Sequence, residues 1–308
     1  MKRIFFLFLI VLTLSSCASP DGRHTVTFVD GSLETSAEFG HGSSIVFPDP
    51  IPRENYSLVG WSYEQDEYSP VKERCTAEND ITLYAFWRYD YEGVTNKIFD
   101  EHIKMNLAIR TSSYNTLFGT KIEETVSVGS AVIFDEDTRY YYLLTNSHVT
   151  ERAEGYSHVR YTALDCYGNS YSATLLAAEP SYDLAIVRIE KGEAELYVAT
   201  LADASPLPGD VTISLGAPEG LHNSVTYGRV EKLSELSPDA EISKDIDFAV
   251  IWHTAPIDHG SSGGALLDAS LSLAGVNFAI VTHADTGEFL YGITVPIEKV
   301  KEFLELYY

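Results

Sequence analysis

The feature of this sequence that most constrains its fold is a long series of short β-type segments between residues 128 and 295. Each segment is rich in Val, Ile, Leu and Tyr, and Gly, Pro, Asn or Asp separates it from the next. The predicted strands are 128–134, 140–146, 158–164, 170–177, 184–189, 211–215, 225–233, 248–253, 273–281 and 291–295. Short strands at regular spacing predict a β-sandwich or barrel rather than a parallel α/β sheet.

Helical spacing of apolar residues marks both ends of this β-rich region. The residues before it are Val94, Ile98, Ile103 and Met105, followed by a strand at 107–109 and a polar loop or hairpin at 112–124. The residues after Pro296 are Ile297, Val300, Leu304 and Tyr307. We therefore predict a short helix before the strands and an amphipathic C-terminal helix packed on the barrel.

The N-terminus carries a targeting signal. Lys2 and Arg3 precede an apolar stretch at 4–14, which is too short to span a bilayer but suits a signal peptide. The stretch ends in Leu-Ser-Ser-Cys17, which resembles the bacterial lipobox. This resemblance implies a lipoprotein signal peptide at 1–16, a linker at 17–23 with a lipidated Cys17, and extracytoplasmic anchoring to a bacterial membrane. An ordinary secretory signal with an incidental cysteine is the alternative.

Residues 24–88 form a separate β-rich segment, with predicted strands at 24–29, 45–48, 56–61 and 81–87. The pieces VTFVDG, FPDPIPRENYSLVGW and DITLYAFW resemble one Listeria–Bacteroides repeat of the InlB B type. That resemblance implies a small β-grasp-like module, although Asp30-Gly31-Ser32 departs from the family pattern. We interpret the module as a spacer or weak interaction module without catalytic chemistry.

A glycine-flanked serine stands at Gly260-Ser261-Ser262-Gly263-Gly264. Glycines on both sides allow a tight turn that projects a hydroxyl and turns several N–H groups toward one point. A nucleophilic serine needs that geometry, but most Gly/Ser clusters are plain turns.

Two further residues have the chemistry that such a serine requires. His148 follows the predicted strand 140–146 and could act as a base, because the pKa of imidazole lies near working pH. Asp183 opens the apolar strand 184–189, where a carboxylate could orient an imidazole. Taken singly, the histidine could be a core or turn residue and the aspartate a turn residue at a strand start.

Four motifs in order resemble the trypsin-like serine proteases of the HtrA/Deg-like branch, over about Val94 to the C-terminus. They read GSAV at 129–132, TNSHV at 145–149, DLAI at 183–186 and GSSGG at 260–264. The resemblance implies a mostly β, double β-barrel protease domain at 89–308 with a C-terminal helix. It implies Ser262 as nucleophile, His148 as general base and Asp183 as orienting carboxylate. It also implies an oxyanion hole formed by the N–H groups of Gly260 and Ser262.

Departures from the family pattern limit what carries over. Ser261 replaces the usual Asn or Asp, which predicts a less firmly fixed turn than in relatives. His259 could titrate near the site, although an exposed loop position is the simpler interpretation. No residues remain after the terminal helix for a PDZ domain, so we expect no regulation through such a domain within this chain. The residues expected near the specificity pocket are Ile257, Val276 and Phe278, which favour small or medium apolar side chains at the cleaved position.

The formal net charge of -24 argues against nucleic acid, which is held mainly by Lys and Arg. The expected partners are protein or peptide substrates and a membrane contacted through lipid on Cys17. No cluster has metal-ligand spacing, so no metal or cofactor is predicted. Cys75 and Cys166 fit no disulfide framework and are predicted to be unpaired, mostly buried thiols. The sequence predicts no oligomeric state.

Two other functions compete with a serine endopeptidase. One is an inactive trypsin-like fold that acts as a surface binding or adhesion protein. The other is an adhesin in which the repeat module is the functional part. An intact His/Asp/Ser set argues against the first, because an inactive protease-like fold has no chemical need for all three.

Overall fold

A computed structural model describes residues 22–65, 69–71, 75–217, 224–236 and 246–308. The signal peptide predicted at 1–16, Cys17 and most of the linker predicted at 17–23 lie outside these residues. The chain divides into two compact units, one ending at Asp90 and the other comprising Tyr91–Tyr308. Among the residues that the structure describes, none of the helices is both long enough and apolar enough to cross a membrane.

The N-terminal unit is a four-stranded sheet with the order β2-β1-β4-β3. Its strands are β1 (Arg23–Asp30), β2 (Leu33–Gly40), β3 (Tyr56–Ser62) and β4 (Ile81–Tyr89). The central pair, β1 and β4, is parallel, and the two outer pairs are antiparallel. Its core consists of Val26, Phe28, Ile45, Trp61, Ala77 and Leu83.

Two features of this unit differ from the prediction. The segment 45–48 is not a strand, although Ile45 is buried and its N–H donates to Cys75 O at 2.9 Å. Ile45 and Phe47 pack into or against the core without joining a strand ladder, whereas Val46 is exposed. Strand β2 was not predicted, because seven of its eight residues are exposed and it lacks an apolar face.

The C-terminal unit contains twelve strands among the described residues. They are β5 (Asn106–Leu117), β6 (Thr120–Glu136), β7 (Tyr140–Thr145), β8 (His158–Leu164), β9 (Ser170–Glu179), β10 (Leu184–Glu190), β11 (Val211–Gly216), β12 (Ser224–Ser234), β13 (Val250–His253), β14 (Ala265–Leu267), β15 (Leu273–Thr282) and β16 (Phe289–Pro296). The helices are α1 (Tyr91–Asp100), α2 (Ser147–Thr150) and α3 (Ile297–Tyr307), with a 3₁₀ helix at His102–Met105.

These strands close into two six-stranded barrels, with the orders β10-β7-β6-β5-β8-β9 and β11-β12-β13-β16-β15-β14. Alternate residues of each strand face the interior, since side chains on a strand have a period of two. In the first barrel, for example, Ile133, Leu143 and Val187 belong to one buried cluster. The predicted mostly β double barrel with a C-terminal helix is confirmed.

Most element predictions in this unit are confirmed. The segment 112–124, predicted to be a polar loop or hairpin, is the hairpin of β5 and β6, which turns at Phe118 with φ 51°. Two features differ from the prediction. Strand β14 was not predicted, because it has three residues and directly follows the glycine-rich turn. Helix α3 buries Phe303, whereas Tyr307, predicted to face inward, is 41% exposed.

Cys75 and Cys166 are free, as predicted, and both are partly exposed rather than mostly buried. They belong to different compact units. Burial raises the pKa of the Cys166 thiol, and the nearby Asp165 raises it further, so the thiol is a weak nucleophile.

Candidate active site

The pairing of β7 with β10 brings His148 beside Asp183. Thr145 at the end of β7 pairs with Ala185 at the start of β10, so the residues after one strand meet those before the other. His148 Nδ1 lies 2.8 Å from Asp183 Oδ2, and the His148 backbone N–H donates to Asp183 Oδ1 at 3.1 Å. A carboxylate only accepts, so Nδ1 carries the proton and the lone pair of the neutral ring is on Nε2.

Asp183 is held in an unusual backbone conformation. Its φ of 47° lies in the left-handed region, which costs roughly 1–3 kcal/mol for a residue other than glycine. The side chain of Asn146 donates from Nδ2 to the Asp183 carbonyl at 2.9 Å, and the Asp183 N–H donates to Pro180 O at 3.0 Å. These bonds hold the carboxylate, 6% exposed, toward the imidazole.

The pKa of His148 is raised above its ordinary value of 6.5. Burial alone would lower the pKa, but the hydrogen bond that His148 donates to Asp183, the charge of Asp183 and the charge of Glu151 outweigh that effect. The side chain is 45% exposed, so its Nε2 face is accessible to solvent. A base with this pKa is neutral above the raised value and holds a proton below it.

Ser262 lies in the turn between β13 and β14. Gly263 has φ 86°, and a Cβ at this position would overlap the carbonyl oxygen of Ser130, so only glycine fits. Ser262 Oγ donates to Phe278 O at 3.3 Å, and no hydrogen bond joins it to His148 in the described part of the chain.

Ser262 and helix α2 both pack against Gly129 of β6. A Cβ at Gly129 would meet Val149 Cγ1 at 2.7 Å and Ser262 O at 3.0 Å. Val149 directly follows His148, so the turn that contains Ser262 and the helix that contains His148 flank one glycine of β6. The Ser130 N–H completes the junction by donating to Ser262 O at 2.6 Å.

Of the five backbone N–H groups in the glycine-rich turn 260–264, three donate hydrogen bonds to described residues and two do not. The N–H groups of Ser261, Gly263 and Gly264 donate to Asp258 O, Asn277 O and Ser261 O at 2.8–2.9 Å. The N–H groups of Gly260 and Ser262 donate to no other described residue. These two amides are therefore available to an oxygen atom beside Ser262.

The structure gives the positions of Ser261 and His259, the two departures from the family pattern near Ser262. Ser261 is buried, and its Oγ accepts the Asp258 N–H at 3.3 Å, which closes the turn locally. The prediction that this turn is less firmly fixed than in relatives stays a prediction. His259 is exposed, as the simpler interpretation held.

The predicted specificity residues lie at different depths. Val276 and Phe278 are buried, whereas Ile257 is half-buried. Ile257 and the imidazole of His253 both pack against Gly292. His253 could not be singled out from the sequence, because one histidine in an apolar strand gives no signal of its surroundings.

His253 is fully buried, and no described residue hydrogen-bonds either ring nitrogen in good geometry. Burial lowers the pKa of His253 to about 4, and the nearby Asn277 side chain and Ala255 backbone offset little of that change. The ring is therefore neutral at physiological pH.

Within the described ranges, no three His, Cys, Asp or Glu side chains group in a way that could hold a metal ion.

Comparison with known proteins identifies two regions of the chain. Residues 129–276 match the trypsin-like peptidase domain, and residues 1–18 match the prokaryotic membrane lipoprotein lipid attachment site.

Several bacterial serine proteases are similar to the chain. The periplasmic serine endoprotease DegP of Escherichia coli K12 is 32% identical over 184 residues, which cover 59% of this chain and 36% of DegP. The putative serine protease HhoA of Synechocystis is 37% identical over 175 residues, 56% of this chain and 41% of HhoA. The Do-like HtrA of Bacillus subtilis is 30% identical over 205 residues, 64% of this chain and 44% of that protein. The chain thus spans less than half the length of these relatives.

A solved structure, that of a variant of the HtrA-type protease AlgW with tripeptide, superposes with a TM-score of 0.53 at 26% identity. The superposition covers 68% of this chain and 62% of that one. Residues 129–276 are therefore similar to a trypsin-like peptidase domain, and the fold is similar to that of an HtrA-type protease.

Proposed function

We propose that this protein is a lipid-anchored, extracytoplasmic serine endopeptidase that cleaves proteins or peptides through Ser262, His148 and Asp183. The observation that carries the proposal is the 2.8 Å bond between His148 Nδ1 and Asp183 Oδ2, which leaves the other ring nitrogen free to act as a base. The two unbonded amides beside Ser262 support the same chemistry.

The reaction begins when Ser262 Oγ attacks the carbonyl carbon of a peptide bond. His148 Nε2 takes the hydroxyl proton, and the negative charge of Asp183 stabilises the imidazolium. The carbonyl oxygen becomes an oxyanion that accepts the N–H groups of Gly260 and Ser262. His148 then gives its proton to the departing amine, and an acyl-enzyme remains on Ser262.

Water completes the cycle by the same route. His148 takes a proton from water, the hydroxide attacks the acyl carbon, and the proton returns to Ser262 Oγ as the acid product leaves. The bond of Ser262 Oγ to Phe278 O exchanges for one to His148 by rotation of the serine side chain, and such catalytic bonds are often loose without substrate.

The N-terminal lipid attachment site supports the proposed location, and we assign the module at 24–88 a secondary role. Lipid on Cys17 anchors the protease outside the cytoplasm, and the module acts as a spacer or weak interaction module. The match of residues 1–18 to a lipid attachment site supports the anchor. We favour a serine endopeptidase over an inactive binding protein because the His/Asp/Ser set is complete.

A fluorophosphonate probe tests the proposal, because it reacts only with an activated serine. We expect labelling of the wild-type protein and none of Ser262→Ala, and strongly reduced labelling of His148→Ala. A peptide library incubated with both wild type and Ser262→Ala then reports cleavage and its specificity. A folded wild-type protein that neither takes up the probe nor cleaves any peptide would contradict the enzyme and favour the binding protein.

A further inference from the structure

Ser130 is a buried residue of β6 whose side chain reaches the nucleophile turn. Its Oγ donates to Gly260 O at 2.7 Å and accepts the Ala217 N–H at 2.8 Å. Its backbone N–H donates to Ser262 O at 2.6 Å. One residue of the first barrel thus binds the carbonyls of both residues whose N–H groups are free.

These bonds fix the two peptide planes next to the free amides. A bound carbonyl holds its whole peptide unit, because the unit is planar. Fixing the unit after Gly260 and the unit after Ser262 restrains the chain on both sides of the Ser262 N–H. Gly260, with φ 92°, has no side chain that could restrain it from within.

The surroundings leave little alternative for the Gly260 carbonyl. Ser130 is completely buried and Gly260 is half-buried, and the Ser130 hydroxyl is the one hydrogen-bond partner that the described residues give the Gly260 carbonyl. Ser261 hydrogen-bonds to Asp258 and does not reach this carbonyl in the described structure. The hydroxyl of Ser130 is therefore the side-chain group that determines where Gly260 O points.

We propose that Ser130 is a positioning residue whose hydroxyl holds the oxyanion-forming turn, Gly260 to Ser262, in its reactive conformation from across the boundary between the barrels. This inference rests on the proposed function. It identifies a contact that holds this turn in addition to the hydrogen bond between the Asp258 N–H and Ser261 Oγ.

Ser130→Ala tests the inference, because it removes the hydroxyl and keeps the hydrogen bond from the backbone N–H of residue 130 to Ser262 O. We expect kcat on a cleaved peptide to fall roughly 10- to 100-fold, less than the roughly 10²–10³ lost when an oxyanion donor itself is removed. KM should stay within about twofold, and the Ki of a peptide boronate of the same sequence should rise by about the same factor as kcat falls. The midpoint of the pH profile should not move, because His148 and Asp183 are untouched.

Thr145→Val is the matched control. Thr145 Oγ1 donates to Ser130 O at 2.7 Å, so the variant removes an equally short, buried hydrogen bond to the same residue without touching Gly260 O. We expect a lower Tm but a kcat and a boronate Ki within about threefold of wild type.

Ser130→Cys extends the series should the alanine variant fail to fold, because a thiol of similar size donates only weakly. Its kcat should lie between those of wild type and Ser130→Ala. A wild-type kcat and boronate Ki in either Ser130 variant would overturn the inference while leaving the protease intact. An equal loss in Thr145→Val would also overturn it, and an inactive wild type would contradict the proposed function itself.

Discussion

At the scale of single residues, His148 sets the pH range in which the proposed enzyme works. Its raised pKa means that the base is protonated, and therefore inactive, until the pH passes a value above 6.5. We expect kcat/KM to rise with pH through a midpoint above 6.5. A pH–rate profile on a cleaved peptide measures that midpoint.

Asp183→Asn separates the charge of the carboxylate from its size. Without the negative charge the imidazole loses its main stabilisation, so kcat should fall by about 10⁴-fold and the midpoint should move to lower pH. Glu151→Gln is the control, because it removes the weaker charge effect and should leave kcat within about threefold. A midpoint unchanged in Asp183→Asn would contradict the assignment of the profile to His148.

A second histidine makes stability, rather than activity, depend on pH. His253 has a pKa of about 4 when folded and about 6.5 when unfolded, so below about pH 6.5 the unfolded chain takes up a proton that the folded chain refuses. Stability should therefore be lost as the pH falls from about 6.5 toward about 4. Between about pH 7 and about pH 4.5 we expect about 2 to 3 kcal/mol of loss from this residue, at about 1.36 kcal/mol per pKa unit.

Urea unfolding of wild type and His253→Leu at both pH values measures this contribution. The acid-induced loss should be smaller in the variant by that amount, and His259→Leu, an exposed position, should behave as wild type. Equal pH dependence in all three proteins would show that His253 is not buried in its neutral form.

The residues to which the proposed function assigns chemistry have a signal in the sequence, whereas the residues that hold them in place have none. Ser262, His148 and Asp183 could be proposed because their order and motifs are local. Ser130 and Asn146 stand inside the same motifs, yet their roles depend on partners 130 and 37 positions away. A side chain whose partner is a carbonyl far away in the sequence produces no periodicity or spacing from which its role could be predicted.

At the scale of elements, strands with an apolar face were predictable and strands without one were not. Strands β6 and β10 carry buried cores, whereas β2 is almost wholly exposed and forms through its pairing with β1. Strand β14 owes its existence to neighbours on both sides, β11 and β15, rather than to its own three residues. Tertiary pairing decided these elements, and no local pattern reports it.

Helix α3 supports the candidate site, because it packs on the segment that precedes Asp183. Phe303 is completely buried and its ring lies 5.9 Å from that of Tyr182, whose hydroxyl donates to Glu302. We expect Phe303→Ala to lower the free energy of unfolding by about 3 to 5 kcal/mol through the cavity it leaves.

Leu306→Ala is the matched control on the same helix, because Leu306 is 64% exposed. Its effect should stay within about 0.5 kcal/mol. Urea denaturation of both variants supplies the comparison, and similar destabilisation by the two substitutions would mean that α3 does not pack through Phe303.

At the scale of the whole molecule, charge and anchor act in opposite directions. The chain has a formal charge of -24, and removal of the signal peptide with Lys2 and Arg3 would make it -26. Such a surface is repelled by anionic headgroups, so electrostatic attraction cannot hold the protein at a membrane. The proposed attachment is therefore lipid on Cys17, and it would be stable only if that residue carried more than one acyl chain.

Cys17→Ala tests this division of roles. The wild-type protein should remain in the membrane fraction at high salt, because screening weakens charge attraction and leaves acyl insertion unaffected. The variant should move to the soluble fraction and lose metabolic labelling by palmitate, while kcat on a peptide stays within about twofold. Cys75→Ala, a substitution of a partly exposed thiol in the N-terminal unit, should stay membrane-bound and labelled. Salt-induced release of the wild type, or palmitate labelling that survives in Cys17→Ala, would contradict the anchor.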